Sequence, residues 1–130
     1  MTCFWTSIIR NLSTDDYQLI GIKPTKDIKV LINQLKKLSK NNKFNITWQN
    51  EKLLEYDIKG LRIEIEKYDI SKIQKGHETS GFDPFLCLLA DVLKVKIEFH
   101  YCKNKILFTS KDKVRKTIRF RGSRSHFSKG

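Results

Sequence analysis

The sequence predicts an α+β fold in which helices pack on one side of a small C-terminal antiparallel sheet. Three observations carry this prediction: apolar residues recur at helical spacing through much of 1–93, the period changes to two at Val95, and most strand-like segments follow the helical ones. The 130 residues match the usual size of one domain. We therefore expect a single domain over 1–130, with a helical part at 1–93 and a basic antiparallel sheet at 94–130.

The first helical segments are predicted from apolar stripes and capping residues. Apolar side chains recur at helical spacing over 3–12, and Ser13, Thr14 and Asp15 then offer caps for a second short turn that ends near Gly21. Thr25 is the expected N-cap of a third helix, which two asparagines terminate. A brief extended or loop segment follows at 44–48.

Residues 50–68 fit two interpretations. Four apolar side chains stand at helical spacing, which favours a helix. Leu61, Ile63 and Ile65 also alternate with polar residues, as they would in a strand. We favour the helix.

A strongly apolar helix is predicted to begin after the loop at 77–81. Asp83 is its expected N-cap, and Pro84 stands in the first helical position, where proline is well tolerated. Apolar residues cover so much of its girth that we expect it to be the central, most buried helix. Cys87 lies inside it and is therefore interpreted as structural.

Beyond this helix the hydrophobic period is that of strands. Residues 95–101 alternate apolar and polar side chains, 103–104 form a tight turn, and 106–108 return as the second arm of a hairpin. A third strand is predicted at 118–120 and a short fourth strand at 125–127.

The net charge of +12 is concentrated in the sheet part. Residues 94–130 hold twelve Lys and Arg against Glu98 and Asp112, or +10, whereas 1–93 hold the other fourteen against twelve acidic residues, or +2. Such asymmetry is typical of a nucleic-acid-binding surface. The alternative is that Lys-rich composition reflects an AT-biased genome, which by itself would not concentrate the charge.

Seven basic residues are the candidates for binding a polyanion. Arg119 and Arg121 should project from one face of their strand, and arginine suits bidentate contact with phosphate. We expect this surface to bind duplex phosphates without reading sequence, although an acidic protein partner would also fit. No aromatic residues are evident on the exposed side, which disfavours single-strand recognition. The seven are Lys94, Lys96, Arg115, Lys116, Arg119, Arg121 and Arg124.

Cys3 and His126 could form a thiol–imidazole pair. Cys3 opens the first predicted helix, where unpaired N–H groups and the helix dipole favour a thiolate. His126 lies on the predicted last strand, and a rigid strand suits an imidazole that must hold or accept the proton. The alternative is that Cys3 is a small buried hydrophobe and His126 a structural histidine.

Three short motifs resemble OTU (ovarian tumour) deubiquitinases, which have a papain-type fold. They are Cys3-Phe4-Trp5 at the start of a helix, the apolar helix and strand over 82–99, and His126-Phe127 near the end. The combination also resembles uncharacterised products of large DNA viruses. The resemblance implies Cys3 and His126 as catalytic residues, Trp5 and Ser128 as orienting or nearby residues, and ubiquitin or another protein as substrate.

Two positions differ from the OTU pattern. Met1 and Thr2 stand where the family has an Asp–Gly segment that helps build the oxyanion hole. Ser128 stands near the place of the Asn or Asp that orients the histidine. The resemblance thus implies a thiol isopeptidase or a degenerate relative. The alternative is a non-catalytic, sequence-independent DNA-binding or virion-packaged protein.

Other classes of protein are disfavoured. No apolar stretch is long enough to cross a bilayer, and the N-terminus does not resemble a signal peptide. Three cysteines without a CxxC spacing indicate neither a disulfide framework nor a zinc knuckle. We therefore expect an intracellular protein, in host cytoplasm or virion if it is viral, without a metal or cofactor.

Overall fold

The computed structural model describes residues 3–72, 83–101, 103–122 and 127–129. In this part of the chain the helices are α1 Cys3–Asn11, α2 Thr14–Ile20, α3 Ile28–Ser39, α4 Glu55–Lys67 and α5 Asp83–Leu93, with a 3-10 turn at Ile70–Lys72. The strands are β1 Ile46–Trp48, β2 Glu51–Lys52, β3 Lys96–Tyr101, β4 Asn104–Ser110, β5 Thr117–Gly122 and β6 Phe127–Lys129. The α+β class is confirmed, and within the ambiguous segment at 50–68 Glu51–Lys52 form β2 and Glu55–Lys67 form α4.

The strands form one sheet in the order β2-β1-β4-β3-β5-β6. All neighbouring strands are antiparallel except β3 and β5, which run parallel, so the sheet is mixed and not wholly antiparallel as predicted. The reason is the connection from β4 to β5, which crosses the start of β3. Its backbone is hydrogen-bonded there: Arg115 N–H donates to the Lys94 carbonyl (2.8 Å), and Lys96 N–H donates to the Lys116 carbonyl (3.0 Å).

The sheet also includes strands from the first half of the chain. β1 and β2 form a hairpin through Gln49 and Asn50, whose φ angles of 53° and 65° match a two-residue turn that follows the twist of the strands. The Gln49 carboxamide binds the backbone of β4, accepting from Leu107 N–H (2.8 Å) and donating to the Lys105 carbonyl (3.2 Å). These bonds fix the hairpin to the rest of the sheet.

The core is centred on α5, as its sequence predicts. Leu86, Leu88 and Leu89 are at most 1% exposed, and Cys87 is fully buried among them. The helix contacts α2, α3 and α4 as well as β1, β3 and β4. Burial on all sides explains why apolar residues cover its whole girth.

Local signals set most of the helix ends. Ser13 and Asp16 form a capping box at the start of α2, and Gly21 ends that helix with a φ of 92°, a conformation that favours glycine. The prediction of Thr25 as the N-cap of α3 is wrong. Asp27 caps the helix by accepting from Lys29 N–H, while the Thr25 hydroxyl accepts from Asp27 N–H.

Within the described ranges, no helix is both long enough and apolar enough to cross a membrane.

Candidate nucleic-acid interface

The two faces of the sheet differ sharply in chemistry. One face is buried against the helices and carries Ile46, Ile97, Phe99, Phe108 and Phe120, none more than 2% exposed. Residues paired across strands project to the same side, so the register defines the composition of the opposite face. We call that side the open face. It carries Thr47, Lys52, Lys96, Glu98, His100, Lys105, Leu107, Thr109, Thr117, Arg119 and Arg121.

The open face is strongly cationic. Its five Lys and Arg residues stand against one carboxylate, Glu98, which leaves +4 with His100 neutral. The side chains of Arg119 and Lys105 are 58% and 50% exposed, so their charges reach solvent. Lys96 and Arg121 form no ion pair with any residue in the described ranges. The strand period explains this arrangement, because alternate residues of β3, β4 and β5 point away from the core.

Glu98 lies at the centre of the open face, between cations on both neighbouring strands. Its Oε2 accepts from Arg119 Nε on β5 at 2.7 Å, and its Oε1 lies 3.8 Å from Lys105 Nζ on β4. Burial raises the pKa of Glu98, but Arg119, Lys105 and Lys96 together lower that pKa below its usual value. The carboxylate therefore stays charged at neutral pH and separates cations that would otherwise repel one another.

Two of the predicted polyanion-binding residues are instead bound to a buried acid. Arg115 Nη2 and Lys116 Nζ donate to the two carboxylate oxygens of Asp16, at 2.6 and 2.7 Å. The Asp16 side chain is fully buried and also accepts from Ser13 N–H (2.8 Å). Burial raises the pKa of Asp16, but the bonds from Lys116, Ser13 and Arg115 outweigh it and lower the pKa. These two cations join the β4–β5 connection to α2.

Lys94 also has a structural role. It follows the last residue of α5 with a φ of 55°, a conformation that usually requires glycine. Its N–H donates to the Asp91 carbonyl, and Val95 N–H donates to the Ala90 carbonyl, which together terminate the helix. Its Nζ contacts Asp91 (3.0 Å) and Asp112 (2.7 Å), and the bond to Asp112 is the main reason that its pKa is raised.

The structure thus divides the predicted basic set. Lys96, Arg119 and Arg121 lie on the open face, while Lys94, Arg115 and Lys116 bind acidic side chains at one end of the sheet. Arg124 lies outside the described residues. Sequence reasoning missed Lys52 and Lys105. Lys105 could have been placed from the sequence, because the period of two in β4 puts it on the side opposite Ile106 and Phe108. Lys52 could not, because β2 has only two residues and shows no period.

The described residues include only part of the predicted thiol–imidazole pair. Cys3 begins α1, but only its backbone is described, and His126 lies outside the described residues. Ser128 pairs with Arg121 in the register of β6 and β5. Helix α1 contacts β6, so the helix that Cys3 begins lies beside the strand that follows His126 in the chain.

Trp5 belongs to the core. It is 1% exposed, its Nε1 donates to the Tyr68 hydroxyl (2.9 Å), and its ring meets those of Phe4 and Phe85 edge-on, both at 4.9 Å. Burial raises the pKa of Tyr68, and the bond from the indole only partly offsets this. The ring cluster anchors α1 to α5.

Among the residues whose side chains are described, no three His, Cys, Asp or Glu come together as metal ligands would. Comparison with known proteins gave no match to a family model, a curated protein or a solved structure. The functional assignment therefore depends on the geometry of this chain.

Proposed function

We propose that the protein binds the phosphate backbone of nucleic acid, without reading sequence, through the open face. The observation that carries the proposal is the charge of that face: five cations to one carboxylate, on a sheet surface where Lys52, Lys105, Arg119 and Arg121 are exposed. A binding face of this kind suits an intracellular or virion-packaged protein that meets nucleic acid.

Phosphate is the anion that this arrangement fits best. Arg119 and Arg121 are two residues apart on one strand, which separates their Cα atoms by roughly 7 Å. Their planar guanidinium groups can each bind a phosphate through two parallel hydrogen bonds. The cations are distributed over the face and do not converge on one point, and this suits an extended polymer of regularly spaced charges better than a single small anion.

The test is the salt dependence of binding to a fluorescently labelled 20-base-pair DNA, followed by anisotropy. If all five cations meet phosphates, the plot of log affinity against log salt should have a slope of about −4.5. Replacing Arg119 and Arg121 together by Gln should reduce the slope to about −2.7, since two contacts are lost. Because the proposed binding does not read sequence, unrelated DNA sequences of the same length should bind with equal affinity.

The matched control removes the same charge elsewhere. Lys29→Gln with Lys37→Gln changes two exposed lysines on α3, a helix whose main contacts are with α1, α2, α4 and α5. This variant should keep the wild-type slope. If both double variants reduce the slope equally, binding reflects net charge and not the open face, and the proposal is wrong.

A second candidate function is thiol chemistry of the OTU type, as a deubiquitinase-like isopeptidase with ubiquitin or another protein as substrate. The contact between α1 and β6 favours it, because that contact brings the helix begun by Cys3 to the strand preceded by His126. A thiolate stabilised by a helix N-terminus and an imidazole would be alkylated well below the usual thiol pKa of about 8.5.

The pH dependence of alkylation by mass spectrometry tests this candidate. Cys3 should react well below pH 8 in the wild type and lose that reactivity in His126→Ala, while buried Cys87 stays protected in both. A ubiquitin-based probe would then identify the substrate. If Cys3 reacts no faster than Cys102, this candidate is excluded.

A further inference from the structure

A straight row of hydrogen-bond donors crosses the open face. In the sheet register Lys52 is opposite Thr47, Thr47 is opposite Thr109, Thr109 is opposite Lys96, and Lys96 is opposite Thr117. Neighbouring strands are about 4.8 Å apart, so this threonine–lysine row runs roughly 19 Å across five strands. Every member carries a hydroxyl or an ammonium group, and both can donate to phosphate oxygens.

The row ends at Lys52, which also lines the first of two adjoining grooves. This first groove measures about 510 Å³ and is lined as well by Lys43, Asn45, Lys94 and Lys111 among others. Its acidic residues are Asp91 and Asp112, and Lys94 binds both of them. With four lysines against two aspartates, the groove is a basic surface that extends from Lys52 along the end of the sheet at which β4 finishes.

The second groove presents an exposed aromatic ring. It measures about 760 Å³, shares Lys43 and Ile58 with the first groove, and adds Tyr56, the cations Lys59 and Arg62, and one acid, Glu55. Tyr56 lies in the first turn of α4, four residues after Lys52 in the chain, and its side chain is 73% exposed. Within the described ranges its ring has no aromatic partner and its hydroxyl no hydrogen bond, so packing does not require an aromatic residue here.

We propose that the ligand is single-stranded nucleic acid, with its backbone along the threonine–lysine row and a base stacked on Tyr56. The inference rests on the proposed function of the open face and specifies its substrate class. Bases of a duplex are already stacked on one another, whereas bases of a single strand are available to an exposed ring. A path that turns from a sheet face into a groove beside a helix also requires a flexible polymer.

The sequence alone disfavoured single strands because no aromatic residue is evident on the exposed side of the strands. The residues of the open face agree with that expectation, since none of them is Phe, Tyr or Trp. The exposed ring of Tyr56 is on α4, outside the sheet, in a groove that adjoins the one lined by Lys52.

The experiment compares a 12-nucleotide dT strand with a 12-base-pair duplex at equal salt, by fluorescence anisotropy on the full chain. Wild type should bind the single strand about tenfold or more tightly than the duplex. Tyr56→Leu should weaken single-strand binding about five- to 150-fold and leave duplex binding within about twofold. Tyr56→Phe keeps the ring and should retain wild-type affinity for the single strand.

A second variant tests the row without changing charge. Thr47→Val with Thr109→Val removes two hydroxyls and keeps the β-branched shape that suits strands. It should weaken single-strand binding several-fold while leaving the salt slope unchanged, because no phosphate loses a cation. Thermal unfolding checks that each variant is folded.

The outcomes separate this inference from the proposed function. If single strand and duplex bind equally and Tyr56→Leu changes neither, the inference is overturned, while a salt slope reduced by the Arg119 and Arg121 double variant would still support the open face. If neither form of DNA binds with a dependence on salt, the proposed function fails and the single-strand inference fails with it.

Discussion

In the described part of the chain, two clusters have cations around one acid, and they differ in how exposed those cations are. Around Asp16, both carboxylate oxygens are bound by cations at 2.6 and 2.7 Å, and the acid is fully buried. Around Glu98, one oxygen is bound at 2.7 Å, the other lies 3.8 Å from its nearest cation, and Arg119 keeps 58% of its side chain exposed. We call the cluster around Asp16 the closed cluster, because its cations are bound to the acid at both oxygens. We call the cluster around Glu98 the open cluster, because its exposed cations can still bind a partner.

This comparison shows that a count of basic residues does not locate a binding surface. Arg115, Lys116 and Arg119 are close in sequence and all form ion pairs, yet only Arg119 projects from the open face. The difference is the position of the acid. Asp16 uses its cations to join elements, whereas Glu98, whose side chain is 11% exposed between the strands, leaves an excess of exposed positive charge around it.

The largest expected effect comes from removing the acid of the closed cluster. Asp16→Asn should lower the free energy of unfolding by about 3 kcal/mol, near the low end of the range for a broken buried pair because Arg115 and Lys116 can partly rehydrate. Urea unfolding at neutral pH measures it. Asp15→Asn removes the same charge from an exposed neighbour in α2 and should cost less than about 1 kcal/mol. Equal losses in the two variants would contradict a structural role for the Asp16 cluster.

The same cluster should make stability depend on pH in the acid range. The pKa of Asp16 is lowered in the folded chain below its usual 3.8, so its contribution is complete above that value and is lost as pH falls through the folded pKa. The pKa of Glu98 is lowered from 4.5 and acts in the same direction. Urea unfolding of wild type and Asp16→Asn should therefore give curves that differ at pH 6 and converge toward pH 3. A difference that stays constant over this range would count against the assignment.

The acid of the open cluster should have opposite effects on folding and on binding. Glu98→Gln removes the charge that separates Lys96, Lys105 and Arg119, so we expect the free energy of unfolding to fall by about 1 kcal/mol or less. The added net positive charge should raise DNA affinity about two- to fivefold at low salt, and less at high salt. Anisotropy at two salt concentrations measures this. A loss of affinity would mean that Glu98 is itself part of the binding site.

The smallest expected effect concerns the end of α5. Because Lys94 has a φ of 55°, glycine at this position relieves backbone strain, whereas alanine does not. Lys94→Ala and Lys94→Gly both lose the contacts with Asp91 and Asp112, so the glycine variant should be more stable than the alanine variant by about 1 kcal/mol. Thermal unfolding of the two variants measures this difference in stability. Equal stabilities would indicate that the backbone at this turn relaxes in the alanine variant.

The sequence alone was sufficient to predict those elements whose structure is determined by a local pattern of residues. The apolar girth of α5, the alternation over β3 and the caps of α2 at Ser13 and Gly21 are short-range signals, and all were predicted from them. The parallel pairing of β5 with β3 was not predictable, because it depends on which side of β3 the chain returns to.

The candidate site was predictable only in part, for a similar reason. The period of two placed Arg119 and Arg121 on one face, but Arg115 and Asp16 are 99 residues apart and no local pattern links them. Tyr56 could not be placed because residues 50–68 fit both helix and strand until the fold was known. Cys3 and His126 remain predictions based on resemblance.

The most direct measurement is NMR of the arginine Nε–Hε groups during titration with DNA. The sequence contains six arginines, and Arg115, Arg119 and Arg121 differ in the environments described above. We expect the signals of Arg119 and Arg121 to shift as phosphates bind, while that of Arg115, which is bound to Asp16, stays in place. If Arg115 shifts and Arg119 and Arg121 do not, the division between a closed structural cluster and an open binding face is wrong.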